Sequence, residues 1–371
     1  MPRRPPVSFL ALALALPFAV LGLSLGACAG PAPQPVPPPQ PIEPPPPPPV
    51  ETVTVVDAGP PPVASVEPAP EGPSACPAGM KLVDGEYCSE IEHKCLKSWF
   101  DKSNKKTICE KFDPTPIKCT AEHTHKRFCI DTYEWPNIKG ERPEVMNRFH
   151  QAEVKCASVG KRMCTESEWT LACEGPEMKP FPYGYERDAA KCNGDHMWDD
   201  PDMKKVEKRD PTELARLWHG VRSGSQPQCI SDYGVADLPA NTDEVVSNEQ
   251  KKGSHRAKFD SVHTGGPWYK GVRNQCRPKI YTHDEDFYYY FLSFRCCGEA
   301  DGKTTDPRTP RQIKEGWQMK KVEHRAQFSI EDMKRKLDLK KEGKCECAAH
   351  DILCKTMCGT LLGPGAVDAK H

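Results

Sequence analysis

The sequence predicts a disulfide-rich domain of mixed helix and strand, carried behind an extended proline-rich stalk. Three observations lead there. Residues 31–73 hold 19 prolines in 43 residues, with no aromatic residue, lysine or arginine. The chain holds 19 cysteines in 371 residues. Two capped helical patterns lie between residues 147 and 175, and "DEDFYYYFLSF" at 284–294 reads as an aromatic strand.

The chain opens with Arg3 and Arg4, followed by an apolar run from about Val7 to Leu25. That is the pattern of a secretory signal. The competing reading is an uncleaved anchor, because the run is nearly long enough to span a bilayer. Leu25-Gly26-Ala27-Cys28 resembles the lipobox of bacterial lipoproteins. This implies cleavage before Cys28, lipid on Cys28, and attachment to a membrane through buried methylene groups. Ala29 in place of aspartate implies the outer membrane, with the domain in the periplasm or at the cell surface.

The stalk cannot bury a core and favours polyproline II. At about 3.1 Å per residue it reaches roughly 130 Å. The expected division is a signal peptide at 1–27, a linker at 28–74, one large domain at 75–300 and a cysteine-rich helical tail at 301–371. Lys and Arg number 51 against 52 Asp and Glu, a net charge of −1, which makes no case for a nucleic-acid partner. With Cys28 assigned to lipid, the other cysteines are expected in disulfides, since an exported chain meets an oxidising compartment.

"NRFHQAEVKCASVG" reads as a helix capped by Asn147, with Phe149, Ala152, Cys156 and Val159 as its apolar stripe and Gly160 as its stop. "GKRMCTESEWTLACEG" follows. Thr165 and Glu168 make a capping box, Cys164 and Trp169 fit the staple around it, and Gly175 ends the helix. Each helix turns one cysteine inward, Cys156 and Cys173.

These segments, with "FCIDTYEWPN", "FPYG" followed by "CNG", "GVADLPANTDEVV", "GGPW" and "FLSFRCC", resemble in order the formylglycine-generating enzyme family, or sulfatase-modifying factors. The resemblance covers roughly residues 76–297. It implies a compact α+β domain with little regular secondary structure, related to C-type-lectin-like folds. The family also holds iron-dependent sulfoxide synthases and pigment-maturation proteins, so fold alone does not settle function. The iron enzymes draw histidine ligands from an extra helical domain, for which this chain has no room.

The resemblance implies calcium held by hard oxygen ligands. Asp237 and Glu244 would give carboxylates, and Ala240 and Thr242 carbonyls. A second site would use Asn193 and the Gly194 carbonyl. It also places Trp268, Tyr269, Arg273 and Asn274 beside a groove for a peptide or small ligand. The family's copper enzymes oxidise with a pair of cysteines close in sequence, shortly before a structural third. Residues 230–275 contain no cysteine, so that pair is missing. Cys276 matches the third, which implies disulfides Cys173–Cys276 and Cys156–Cys296, with Cys297 as competitor for Cys156. No catalytic residue is assigned and no copper is expected.

Histidines such as His93, His150, His196, His219, His263 and His283 are scattered, without a helical metal-binding motif. His123 and His125, beside Lys126 and Arg127, read as a solvated loop. "SIEDMKRKLDLKKEG" is a short helix capped by Ser329 and Asp332 and stopped by Gly343. Cys345, Cys347, Cys354 and Cys358 follow, expected as a disulfide-stapled helical pair rather than a zinc site. The sequence thus suggests an envelope lipoprotein that binds an envelope protein, peptide or glycan without formylglycine synthesis. The alternatives are an oxidoreductase or maturation enzyme acting on a protein, and a purely structural envelope component.

Overall fold

The computed structural model describes residues 74–342 and 344, apart from 103 and 104. The signal segment, Cys28, most of the linker, Gly343 and the four tail cysteines lie outside the described residues. No helix among those described is long and apolar enough to cross a membrane.

Strands β1 (Met80–Cys88) and β4 (His123–Asp131) pair antiparallel along their whole length. Between them a hairpin of β2 (Cys95–Asp101) and β3 (Lys106–Phe112) stands as its own two-stranded sheet. Helix α1 (Phe149–Ser158), the short β5 (Arg162–Met163) and helix α2 (Glu166–Glu174) follow. Two small helices come next, α3 (Met203–Glu207) and α4 (Pro211–Leu217). Then β6 (Asp243–Ser247), β7 (Ser261–Thr264), β8 (Lys279–Ile280) and β9 (Leu292–Ser293) form a sheet in the order β8-β7-β6-β9. Strand β10 (Cys296–Glu299) returns to the first sheet, in the order β1-β4-β10-β5. Helices α5 (Pro310–Lys314), α6 (Met319–Ala326) and α7 (Ile330–Lys341) end the described chain.

Local chemistry explains most helix ends. In α2 the Thr165 hydroxyl accepts from the Glu168 N–H at 3.4 Å, and the Glu168 carboxylate accepts from the Thr165 N–H at 2.8 Å. Gly175 closes the helix at φ +69°. Every residue of α2 is buried, so its acids need partners. Arg162 takes Glu168 at 2.7 Å, Arg277 takes Glu174 at 2.6 Å, and the Tyr281 hydroxyl donates to Glu166 at 2.6 Å.

Helix α1 departs from expectation at its start. Arg148, not Asn147, is the N-cap, and the Gln151 side chain accepts from its N–H. Asn147 turns inward instead. Its Oδ1 accepts from Lys155 at 2.7 Å, because Lys155 is buried with only Glu144 and Asn147 to satisfy its ammonium. The 284–294 run also differs, since only Leu292 and Ser293 form a strand. Consecutive aromatics there serve different clusters, so the chain cannot keep a two-residue alternation. Tyr290 and Phe291 pack with Trp268, while Leu292 and Phe294 pack under α1. His123 and His125 are solvent-exposed as expected, but on strand β4, where His125 meets Asp84 and Glu86.

One core lies between α2, the first sheet and β6–β7, centred on Trp169, Phe128 and Val246. A second gathers α1 with Phe294, and α6 and α7 contribute Val322, Ala326 and Met333. The region after residue 300 is therefore packed on the domain through α7, rather than separate from it.

Seven disulfides cross these units: Cys76–Cys129, Cys88–Cys119, Cys95–Cys109, Cys156–Cys296, Cys164–Cys297, Cys173–Cys276 and Cys192–Cys229. They include both bridges the resemblance implied. Cys297 does not compete for Cys156; it bonds Cys164, beside the start of α2.

Candidate functional site

The segment 265–276 is a loop fixed at several points. Gly265 sits at φ +66°, and a Cβ there would lie 2.6 Å from the Pro239 carbonyl oxygen. Only glycine fits that approach. The Gly266 N–H donates to the same carbonyl at 2.9 Å. Asn274 donates to the Pro267 carbonyl at 2.8 Å and packs against Gly194. At the end of the loop the Cys276 N–H donates to Pro180, and its sulfur is bonded to Cys173 of α2.

The structure brings the four expected groove residues into this one loop and buries three. Trp268 is fully buried, packing edge-on against Trp218 with ring centres 4.6 Å apart. The Tyr269 and Tyr290 hydroxyls share a hydrogen bond of 2.9 Å. Asn274 is buried as well. Arg273 is the member whose side chain reaches solvent, and it bonds Asp243 at 2.7 Å and the Gly265 carbonyl at 3.2 Å.

Asp243 is buried, and its Oδ1 has no hydrogen-bond partner. Burial raises its carboxyl to about 6, against the opposing pull of Arg273. Buried His263 lies beside it, with Nδ1 3.8 Å from the Asp243 carboxylate. The His263 ring stacks on His283, centres 4.9 Å apart, and His283 stacks on Phe287 at 3.9 Å. Burial, then His283 and Arg273, hold His263 well below its ordinary pKa, so it is neutral at pH 7.

Behind the loop lies a second charged group, absent from the sequence reading. Arg295 is fully buried between β9 and β10. Its Nε and Nη2 donate to both oxygens of Glu244, at 2.7–3.1 Å, and its other donors reach the carbonyls of Asp131, Thr132 and Ala236. Trp169 Nε1 also donates to Glu244, at 3.0 Å. Glu134 and Asp237 are buried close enough to Arg295 to feel its charge. Glu134 accepts from Asn241, Thr242 and Ser223. Burial, reinforced by Asp237, lifts Glu134 well above the usual carboxylate range, and burial lifts Asp237 to about 6.

The expected calcium ligands meet a mixed set of partners. Asp237 Oδ2 accepts from the Gly224 N–H at 2.7 Å, while buried Oδ1 has no donor. That free oxygen is the donor the loop offers a hard cation, but Arg295 already balances the Asp237 and Glu134 pair, and calcium takes six to eight oxygens. Glu244 does not offer the same, because Arg295 and Trp169 occupy both its oxygens. The Ala240 carbonyl accepts from the Thr242 N–H, and the Thr242 hydroxyl donates to Glu134. At the second site the Asn193 carbonyl accepts from the Asn241 N–H, and the Gly194 carbonyl accepts from Arg187. An ion there would compete with a guanidinium. Among the described residues no three or more His, Cys, Asp or Glu side chains converge as a metal site.

Arg295 and Glu134 were visible in the sequence as charges inside apolar segments, "FLSFRCC" and "FCIDTYEWPN". A charge in such a segment needs a buried partner, and that signal could have found them.

Among solved structures, PvdO from Pseudomonas aeruginosa is similar at 15% identity and a TM-score of 0.36, over 59% of this chain and 94% of that one. CarF is similar at 12% identity and a TM-score of 0.37, over 61% of this chain and 99% of that one. No curated protein sequence matches. Residues 103–300 match the sulfatase-modifying factor enzyme 1-like domain, more than half of the chain. The chain therefore belongs to the family of sulfatase-modifying factor enzyme 1-like proteins.

Proposed function

We propose that this chain is a ligand-binding member of its family and not a copper-dependent formylglycine-generating enzyme. The observation that carries this reading is that residues 230–275, where the copper-binding pair would lie, hold no cysteine, while Cys276 is bonded to Cys173 as the structural third. Each cysteine among the described residues is likewise in a bridge. Cu(I) needs soft thiolates, and these bridges leave none among those residues. Arg273, 21% exposed and close to the stacked His283 and Phe287, supplies a polar and aromatic face for an envelope peptide or glycan.

The lipobox-like segment supports placement on the outer membrane through lipid at Cys28, with the proline-rich stretch as spacer. Cys28→Ser should then abolish fatty-acid labelling and release the protein from membranes. Calcium enters as a structural ion at the Asp237 loop, supported by the orphaned Oδ1. To test the catalytic half, the purified chain is incubated with copper, oxygen and a sulfatase-type cysteine peptide. Mass spectrometry should find the peptide unchanged, and conversion of its cysteine to formylglycine would overturn the reading.

A further inference from the structure

A cavity of about 380 Å³ opens between α7 and the chain that follows β4. Its apolar surface comes from Trp135, Pro136, Ile138, Val159 and Leu337. Ile138 and Val159 are 45% and 41% exposed, so they leave apolar area to solvent inside a concave site. Trp135 is held in place by stacking on Phe294, ring centres 5.5 Å apart, and by donating to Glu144. The wall is thus preformed, as ligand sites usually are.

The charges at the cavity are uneven. Lys161, Lys340 and Lys341 line it against one carboxylate, Glu141. Lys161 is tied to buried Asp131. Lys340 and Lys341 meet Glu141 and Asp338, each at 3.2 Å, through side chains substantially open to water. Such exposed pairs are weak and exchange readily for another anion.

We propose that this cavity binds an amphipathic monocarboxylate, with its acyl or aryl tail against Trp135, Ile138 and Val159 and its carboxylate at Lys340 and Lys341. Helix α7 lies outside residues 103–300, so Leu337, Lys340 and Lys341 add a wall from beyond the family domain to a site otherwise lined by it.

Isothermal titration of the full chain with hexanoate, octanoate and decanoate tests this, with decanol and decyltrimethylammonium as neutral and cationic controls. Binding should saturate at one site and tighten by about fourfold per added methylene until the cavity is full. Decanoate should bind at least tenfold more tightly than the cation. Lys340→Glu with Lys341→Glu, at the surface of α7, should weaken decanoate at least tenfold and leave decanol unchanged. Ile138→Trp should fill the cavity and abolish binding without lowering the melting temperature. Unsaturable decanoate binding, equal binding of the cation, or indifference to the lysine changes would each overturn the proposal.

Discussion

Arg295 is where a single substitution should hurt most. Its guanidinium is buried and held by Glu244 and three backbone carbonyls, with Glu134 and Asp237 nearby. Arg295→Met keeps much of the side-chain bulk and removes the charge. It leaves Glu244 with the Trp169 N–H and strands two further buried carboxyls. Breaking a buried pair by removing one partner costs about 3–5 kcal/mol. At roughly 2–4 °C per kcal/mol for a domain of this size, the melting temperature should fall by about 6–20 °C. Glu244→Gln is the instructive contrast. It leaves Arg295 its carbonyls and the other two carboxyls, so only hydrogen-bond losses of about 1–3 kcal/mol are expected. Without Arg295, Asp237 and Glu134 rise further above their unfolded values. Groups raised in that way cost more stability as pH rises. The Arg295→Met deficit should therefore be larger at pH 8 than at pH 5. Thermal and denaturant unfolding with disulfides intact measures both variants. Equal losses, or a deficit that ignores pH, would refute the assignment of Arg295 as the shared counter-ion.

Three further outcomes follow from the same geometry. Cys156→Ala with Cys296→Ala opens a bridge between residues 140 apart, a loop whose closure alone is worth about 5 kcal/mol. The neighbouring Cys164–Cys297 bridge persists, however, and shortens the loop to about ten residues, so denaturant unfolding should show a loss of only about 3 kcal/mol. His263 resists protonation when folded but accepts a proton near pH 6.5 when unfolded, so its contribution is present above that pH and lost below it. Asp243 acts oppositely, losing stability from about pH 4 to 6, so wild type must be compared with His263→Gln. Between pH 7.5 and 5 the wild type should lose more stability than the variant, and parallel pH profiles would contradict this. For the proposed calcium ion, chelator should lower the melting temperature of the wild type and leave Asp237→Ala unchanged; a wild type indifferent to chelator would count against the ion.

Features set by near neighbours were readable in the sequence, and features set by distant ones were not. The Thr165 and Glu168 box needs only three residues of spacing, and it forms. Asn147 looks like a cap by the same local rule, yet it is taken by Lys155, whose burial is a tertiary fact. The aromatic run 284–294 reads as a strand because its residues favour one, but two clusters pull its side chains apart. The cysteine pairs of α1 and α2 followed from the family resemblance, whereas Cys164–Cys297 did not. The groove residues were found as neighbours, but burial of Trp268 and Asn274 depends on α4, Tyr290 and Gly194, which are remote in sequence.

Cys276 is a disulfide staple and not a metal-binding thiolate. Non-reducing proteolysis of the full chain, after alkylation under denaturing conditions, tests this most directly. A linked peptide pair carrying Cys173 and Cys276 is expected, with no alkyl label on Cys276 before reduction. A labelled, unlinked Cys276 in the untreated protein would contradict it.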